Sequence, residues 1–215
     1  MAEDTPAKHT TASGTALHAL LGLSPSSPSL TSFLTSLSSP LPEPEIKPFP
    51  DIIYHTYHPL GLSLQFSPVP PFSPSSRSTP ADLASAASSN LLRLTGLDIY
   101  NHTTAPPPDK HGRVRKSEYG AFPGFPIVLP GGAEVNPGTT GKELVERMGE
   151  PKRKGGGTGA TPGMGIWTEW SVEVEVEEGK GSREVKVMVE WASSGLQAWE
   201  KGGEAGWRVL SVYEE

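Results

Sequence analysis

Residues 165–191, GIWTEWSVEVEVEEGKGSREVKVMVEW, alternate between apolar and polar side chains over almost their whole length. Ile166, Thr168, Trp170, Val172, Val174 and Val176 share one side. Glu169, Ser171, Glu173, Glu175 and Glu177 share the other. After Gly179-Lys180-Gly181-Ser182, Val185, Val187, Val189 and Trp191 align together, with Lys186, Met188 and Glu190 opposed to them. A period of two on either side of a turn predicts a long antiparallel hairpin with one buried and one solvated face. Arg183 and Lys186 are expected beside the glutamate row, each pair contributing a few tenths of a kcal/mol.

The rest of the chain supplies what such a hairpin pairs with and packs against. Thr15–Gly22 carries Leu17, Leu20 and Leu21 on one stripe and reads as a short helix stopped by Gly22. Ser27-Pro28 starts another, with Leu30, Phe33, Leu34 and Leu37 at helical spacing. Five prolines make 39–50 an extended connector. Alternation resumes over Asp51–Phe66, with a turn at His58–Gly61, and again over Leu91–Tyr100. The Ser/Pro/Ala-rich stretch 67–90 has little to bury and is expected as a loop, with at most a short helix at 81–88. Residues 119–130, YGAFPGFPIVLP, are too rich in proline for a central strand and are expected to lie across a core edge. Thr140-Gly-Lys-Glu143 is a capping-box pattern ahead of Leu144, Val145 and Met148, and Gly149 ends that helix. Residues 152–163 and 192–205 read as loops, and Trp207–Tyr213 as a last strand.

The implied fold is α+β: an antiparallel sheet with short helices on one face. The two parts follow one plan, a tandem αβββ repeat, with 1–14 a disordered N-terminus, 15–130 the first repeat and 131–215 the second. The mobile insertions of the first repeat are placed at 67–90 and 103–118. The local matches are LDIY against LSVY, and IIYHTY against GIWTEW.

In the second half, Thr140, Glu143, Leu144, Val145, Gly149 and Pro151, followed by Gly165, Ile166, Trp167, Glu169 and Trp170, form a pattern that resembles the SmpA/OmlA and beta-lactamase-inhibitor-protein-like fold over 139–213. The tandem form is similar to the eukaryotic phagophore-assembly-associated family over 29–213, through Tyr57, Gly61–Leu64, Phe66 and Leu97–Asn101. The resemblance implies an adaptor or binding module rather than an enzyme. The chain lacks the lipobox cysteine, so the bacterial lipoprotein role does not follow.

Chemistry-bearing motifs are sparse. The 215 residues include no cysteine, which removes disulfides, thiolate catalysis and cysteine-ligated zinc. A net charge of −6 argues against general attraction to nucleic acid or anionic lipid. Neither a signal core nor a spanning segment is evident, so a cytoplasmic protein, or a nuclear one, is expected. Asn136–Glu143 imitates a phosphate loop but places Asn136 where glycine is needed and Glu143 where a hydroxyl is needed. His55 and His58, with Asp51 nearby, stand three apart on a strand and so point to opposite faces, which does not suit a metal. Asn101-His102-Thr103 matches a glycosylation sequon. Lys152-Arg153-Lys154 beside three glycines could hold a phosphate or an acidic peptide. The plainer reading is a solvated loop whose cations complement the preceding helix dipole. No cofactor and no catalytic residue is expected.

The remaining signal is aromatic. Trp167 falls on the polar side of its strand beside Glu169, and Trp199 falls in a loop, positions suited to contact anchors. The leading expectation is therefore a non-enzymatic protein-interaction module. Its sheet face would include Trp167, Glu169, Tyr54 and Tyr57, with Lys152, Arg153 and Lys154 as further partner contacts. The alternative is a small-ligand binder or enzyme with a pocket between the repeats, gated by the glycine loop at 155–165.

Overall fold

The computed structural model describes residues 14–75, 78–104, 118–157, 165–175, 181–193, 195 and 197–214. Helix α1 (Pro28–Leu37) leads into strands β1 (Glu45–Pro48), β2 (Ile53–Tyr57) and β3 (Leu62–Pro68), then helix α2 (Pro80–Ser88) and strand β4 (Leu92–Tyr100). A two-residue pair, β5 (Ile127–Val128) and β6 (Glu134–Val135), forms a small separate sheet in the connection. Helix α3 (Gly141–Met148), strands β7 (Arg153–Gly155), β8 (Trp167–Glu175) and β9 (Ser182–Trp191), helix α4 (Ala198–Lys201) and strand β10 (Trp207–Tyr213) complete the chain.

The large sheet has eight strands in the order β1-β2-β3-β4-β10-β9-β8-β7, every neighbouring pair antiparallel. The α+β class and the antiparallel sheet are thus as expected. Each half runs through the same element order, α-β-β-β-α-β. That is one strand and one helix more than the αβββ unit read from the sequence. The extra strands, β1 and β7, lie at the two sheet edges within stretches expected as a proline connector and a glycine loop. Edge strands need only one partner, so pairing with β2 and β8 suffices to extend them despite poor local propensity.

Register places Leu62, Leu64 and Phe66 of β3 beside Leu97, Ile99 and Leu94 of β4, and Leu210 and Val212 of β10 between β4 and Val187 and Val189 of β9. All of these are at most 1% exposed. Leu94 and Leu97 are three apart yet share this face because Thr95 is an extra residue in β4, a β-bulge opposite Gln65–Phe66. Leu30 and Leu34 of α1, Leu83 and Ala86 of α2 and Leu144 of α3 join the same core cluster. Within the loop expected over 67–90, helix α2 stands where the short helix at 81–88 was expected. Thr79 and Asp82 cap it reciprocally, and two of its residues are buried. Segment 119–130 behaves as expected, burying Phe122, Ile127 and Leu129 at the core margin. Gly61, at φ +56°, ends the turn after β2 where an added Cβ would lie 2.5 Å from the Gly120 carbonyl oxygen.

The expected antiparallel hairpin is β8–β9, with Trp170 opposite Val187 and Val172 opposite Val185; its turn residues 176–180 lie outside the described residues. Val172 and Val174 are half-buried. Arg183 departs from expectation. It shares the face of Val185 and donates to the carbonyls of His18 and Leu21 and to Glu214, tying the N-terminal 3-10 turn Leu17–Leu20 to the sheet.

At the start of α3 the Thr140 amide donates to the Glu143 carboxylate at 2.8 Å and the Glu143 amide returns to the Thr140 hydroxyl at 3.4 Å. We expect Thr140→Ala to lower stability by about 1 kcal/mol in urea unfolding, and Thr140→Ser to leave it nearly unchanged.

Candidate functional site

The face of the sheet opposite the core is polar and largely self-satisfied. Across it, in register, run Thr56, Ser63, Asp98, Ser211, Met188, Glu169 and Arg153. Ser211 donates to Asp98 at 2.6 Å and Gln65 donates to it at 2.7 Å. Burial nevertheless raises the Asp98 pKa, with these two hydrogen bonds pulling against it. Tyr100 stacks on Tyr119 with ring centroids 3.6 Å apart, and its phenol is pushed up, chiefly by burial and by the Asp98 charge.

The residues singled out from the sequence do not form one surface here. Glu169 is 3% exposed and accepts from Arg153 at 3.2 Å and from the Tyr213 hydroxyl at 2.5 Å. Trp167, half-buried, lies under the Arg153 guanidinium at 5.9 Å. Tyr54 is on this face too, edge-on to Phe49. It stands five strand spacings from Trp167, roughly 24 Å at about 4.8 Å per strand. Tyr57 is on the other face, 5% exposed, and belongs to the core. His55 and His58 are apart as expected. His55 packs on Phe66, while His58 bonds Glu45 at 2.9 Å and stacks near Tyr119. Asn101 of the sequon is buried and donates to the carbonyls of Pro137 and Trp207.

The basic run is split in a way its spacing foreshadows. Lys152 pairs with Glu184 at 3.3 Å. Arg153 and Lys154, successive on β7, point to opposite faces. Arg153 covers Trp167, and Lys154 sits 5.7 Å above the Trp199 ring. Two tryptophans thus grip the edge strand from its two sides, each through a cation–π contact. All three cations have internal partners, so no shared anion cradle is assembled. The seam between the halves is the β4–β10 pairing, solid with leucine, isoleucine and valine on its core side. A gated pocket there has no support from this packing, and part of its proposed gate, 158–164, lies outside the described residues.

A concave site does exist, within the second half alone. Helix α3 forms one wall through Lys142, Val145 and Glu146, continued by Glu150 and Pro151. The opposite wall is Trp199, Glu200 and the 3-10 turn Gly202–Glu204. Ile166, Thr168 and Trp191 form the floor, Lys154 also lines the site, and the volume of this open groove is about 390 Å³. The walls approach closely where a Cβ on Gly141 would be 2.5 Å from the Gly202 carbonyl oxygen, and one on Gly202 would be 2.5 Å from Ile166 Cδ1. Trp191 is held by its Nε1 donating to Thr168 Oγ1 at 2.9 Å. Trp199 is 43% exposed, steadied by a hydrogen bond from its Nε1 to the Gly156 carbonyl at 3.4 Å. Residues 192–205, expected as a loop, instead contain α4, and that helix sets Trp199 in the wall. The i, i+4 spacing of Lys142 and Glu146 on a recognisable helix is the available signal.

Comparison with family models, with curated proteins and with solved structures returns no match. The geometry defines an α+β protein with an eight-stranded antiparallel sheet and one amphipathic groove between α3 and α4. Among the described residues no group of three or more histidines, aspartates or glutamates is arranged to hold a metal, and no helix is long and apolar enough to cross a membrane.

Proposed function

We propose that this chain is a non-enzymatic interaction module, and that its docking surface is the α3–α4 groove rather than the sheet face. The reading rests on one observation: a solvent-exposed tryptophan, Trp199, stands over an apolar floor of Ile166 and Trp191 in a concave site of ligand-binding size. Tryptophan in such a position contributes large contact area at low entropic cost. Trp167 and Glu169, by contrast, are engaged in holding β7, and Ser211, between them and Asp98, is bonded to Asp98. The resemblance to the SmpA/OmlA-type binding modules points the same way.

The test is selection of randomised nine-residue peptides displayed on phage against the full chain. Clones that use the groove are expected to weaken about 30-fold with Trp199→Ala, a loss of about 2 kcal/mol. They should also fail with Gly203→Trp, which fills the groove from a position where the nearest atom to an added Cβ is Lys142 Cβ at 3.9 Å. Selected clones indifferent to both substitutions would overturn the assignment, as would a selection yielding no clones.

A further inference from the structure

We infer that the groove's occupant is a short extended polypeptide segment in which an apolar or aromatic side chain is flanked by lysine or arginine. This deepens the docking assignment above and rests on it. Many glutamates of the second half are matched. Glu143 caps α3, Glu169 pairs with Arg153, Glu184 with Lys152, Glu190 with Arg208, and Glu214 with Arg93 and Arg183. Glu146, Glu150, Glu200 and Glu204, which line the groove, have no ion-pair or hydrogen-bond partner among the described residues. Glu146 lies on α3 and Glu150 just beyond its end, and Glu200 and Glu204 lie four residues apart on the facing wall, so the two pairs flank the apolar floor.

Against these four carboxylates stand Lys142 and Lys154, leaving two net negative charges around the groove. Lys154 is already placed over the Trp199 ring at 5.7 Å. That occupies one face of the ring with a cation and leaves the other for an apolar side chain. The charge pattern selects the partner's chemistry. A cation beside the apolar anchor meets two facing carboxylate pairs, whereas an acidic segment meets like charge. Desolvation is modest at such a rim, so the pairs steer and discriminate while Trp199 supplies most of the affinity.

The same phage selection reads this out through composition. Clones lost with Trp199→Ala are expected to be enriched in lysine and arginine next to leucine, isoleucine, phenylalanine or methionine. Their synthetic nonapeptides should weaken at least fivefold between 50 and 500 mM NaCl, by fluorescence polarisation. The variant Glu146→Gln/Glu150→Gln/Glu200→Gln/Glu204→Gln should bind them at least tenfold more weakly. The charge-matched control Glu43→Gln/Glu118→Gln/Glu173→Gln/Glu175→Gln, at exposed positions away from the groove, should leave binding unchanged. Trp199-dependent clones of neutral or acidic composition, without salt dependence, would overturn the basic partner and leave the docking groove standing. Equal losses in the control would show mere attraction to an acidic protein and overturn the proposal. Absence of any Trp199-dependent clone would remove both readings. Circular dichroism of each variant confirms that the fold is retained.

Discussion

Trp207→Ala is expected to destabilise the chain by about 3–5 kcal/mol, the range for truncating a large buried aromatic residue. Trp207 is 1% exposed and begins β10 at the point where three parts of the chain meet. Its Nε1 donates to the Asn136 carbonyl at 2.9 Å, its own carbonyl accepts from Asn101 Nδ2 at 3.0 Å and Thr104 Oγ1 at 2.8 Å, and its ring lies 6.1 Å from Phe125. The end of β4, the 119–136 connection and the last strand are all fastened there. Alanine would leave a cavity between segments tied by those bonds, limiting the collapse that could offset it. Trp207→Phe keeps most of the ring volume and loses the indole donor, so it should cost about 1–2 kcal/mol. Urea unfolding followed by fluorescence, with the m-value checked for two-state behaviour, measures both. A loss below 1 kcal/mol for the alanine variant would mean that this junction does not hold the halves together.

How far the sequence reveals such a structure depends on whether local pattern or remote pairing decides a residue's place. The β8–β9 hairpin was legible because one face carries apolar side chains and the other polar ones, so alternation reports orientation directly. The cap of α3 was legible because Thr140 and Glu143 bond within one turn. Strands β1 and β7 were not, because proline and glycine argue against strands locally and only pairing with β2 and β8 extends them. The bulge at Thr95 breaks the alternation of β4, and nothing short of the β3 register shows it. Glu169 was placed on the correct face, yet its burial follows from Tyr213, two strands away, and from Arg153 on the edge strand. The candidate site shows the same division. Trp199 and the basic run at 152–154 stood out as chemistry. Their actual relation, Lys154 over Trp199 beside a groove walled by a four-residue helix, arises from contacts across more than forty residues of chain.

Acidification should destabilise this protein through His55, and His55→Phe should remove that contribution. His55 faces the core side of β2, between Ile46 and Leu64 in register, with its ring 4.8 Å from Phe66 and its Nε2 buried without a hydrogen-bond partner. Burial brings its pKa down from 6.5 to about 4. The unfolded chain therefore takes up the proton at higher pH than the folded one. The contribution of neutral His55 is complete above pH 6.5 and is lost progressively as pH falls toward 4. Over that interval it amounts to about 3 kcal/mol, at about 1.4 kcal/mol per pKa unit. Asp98 acts in the opposite sense. Its pKa is raised in the folded state, so it favours folding as pH drops through that raised value, and it is common to wild type and variant. Phenylalanine preserves the ring against Phe66 and brings no titrating nitrogen. At pH 7 the two proteins should agree to within about 1.5 kcal/mol, as for a volume-conserving core change. The variant should then gain on the wild type as pH falls, by about 3 kcal/mol at pH 4. Urea midpoints at pH 7, 6, 5 and 4 decide it: a difference between the two proteins that stays constant across this range would show that His55 is protonated in the folded state at little cost.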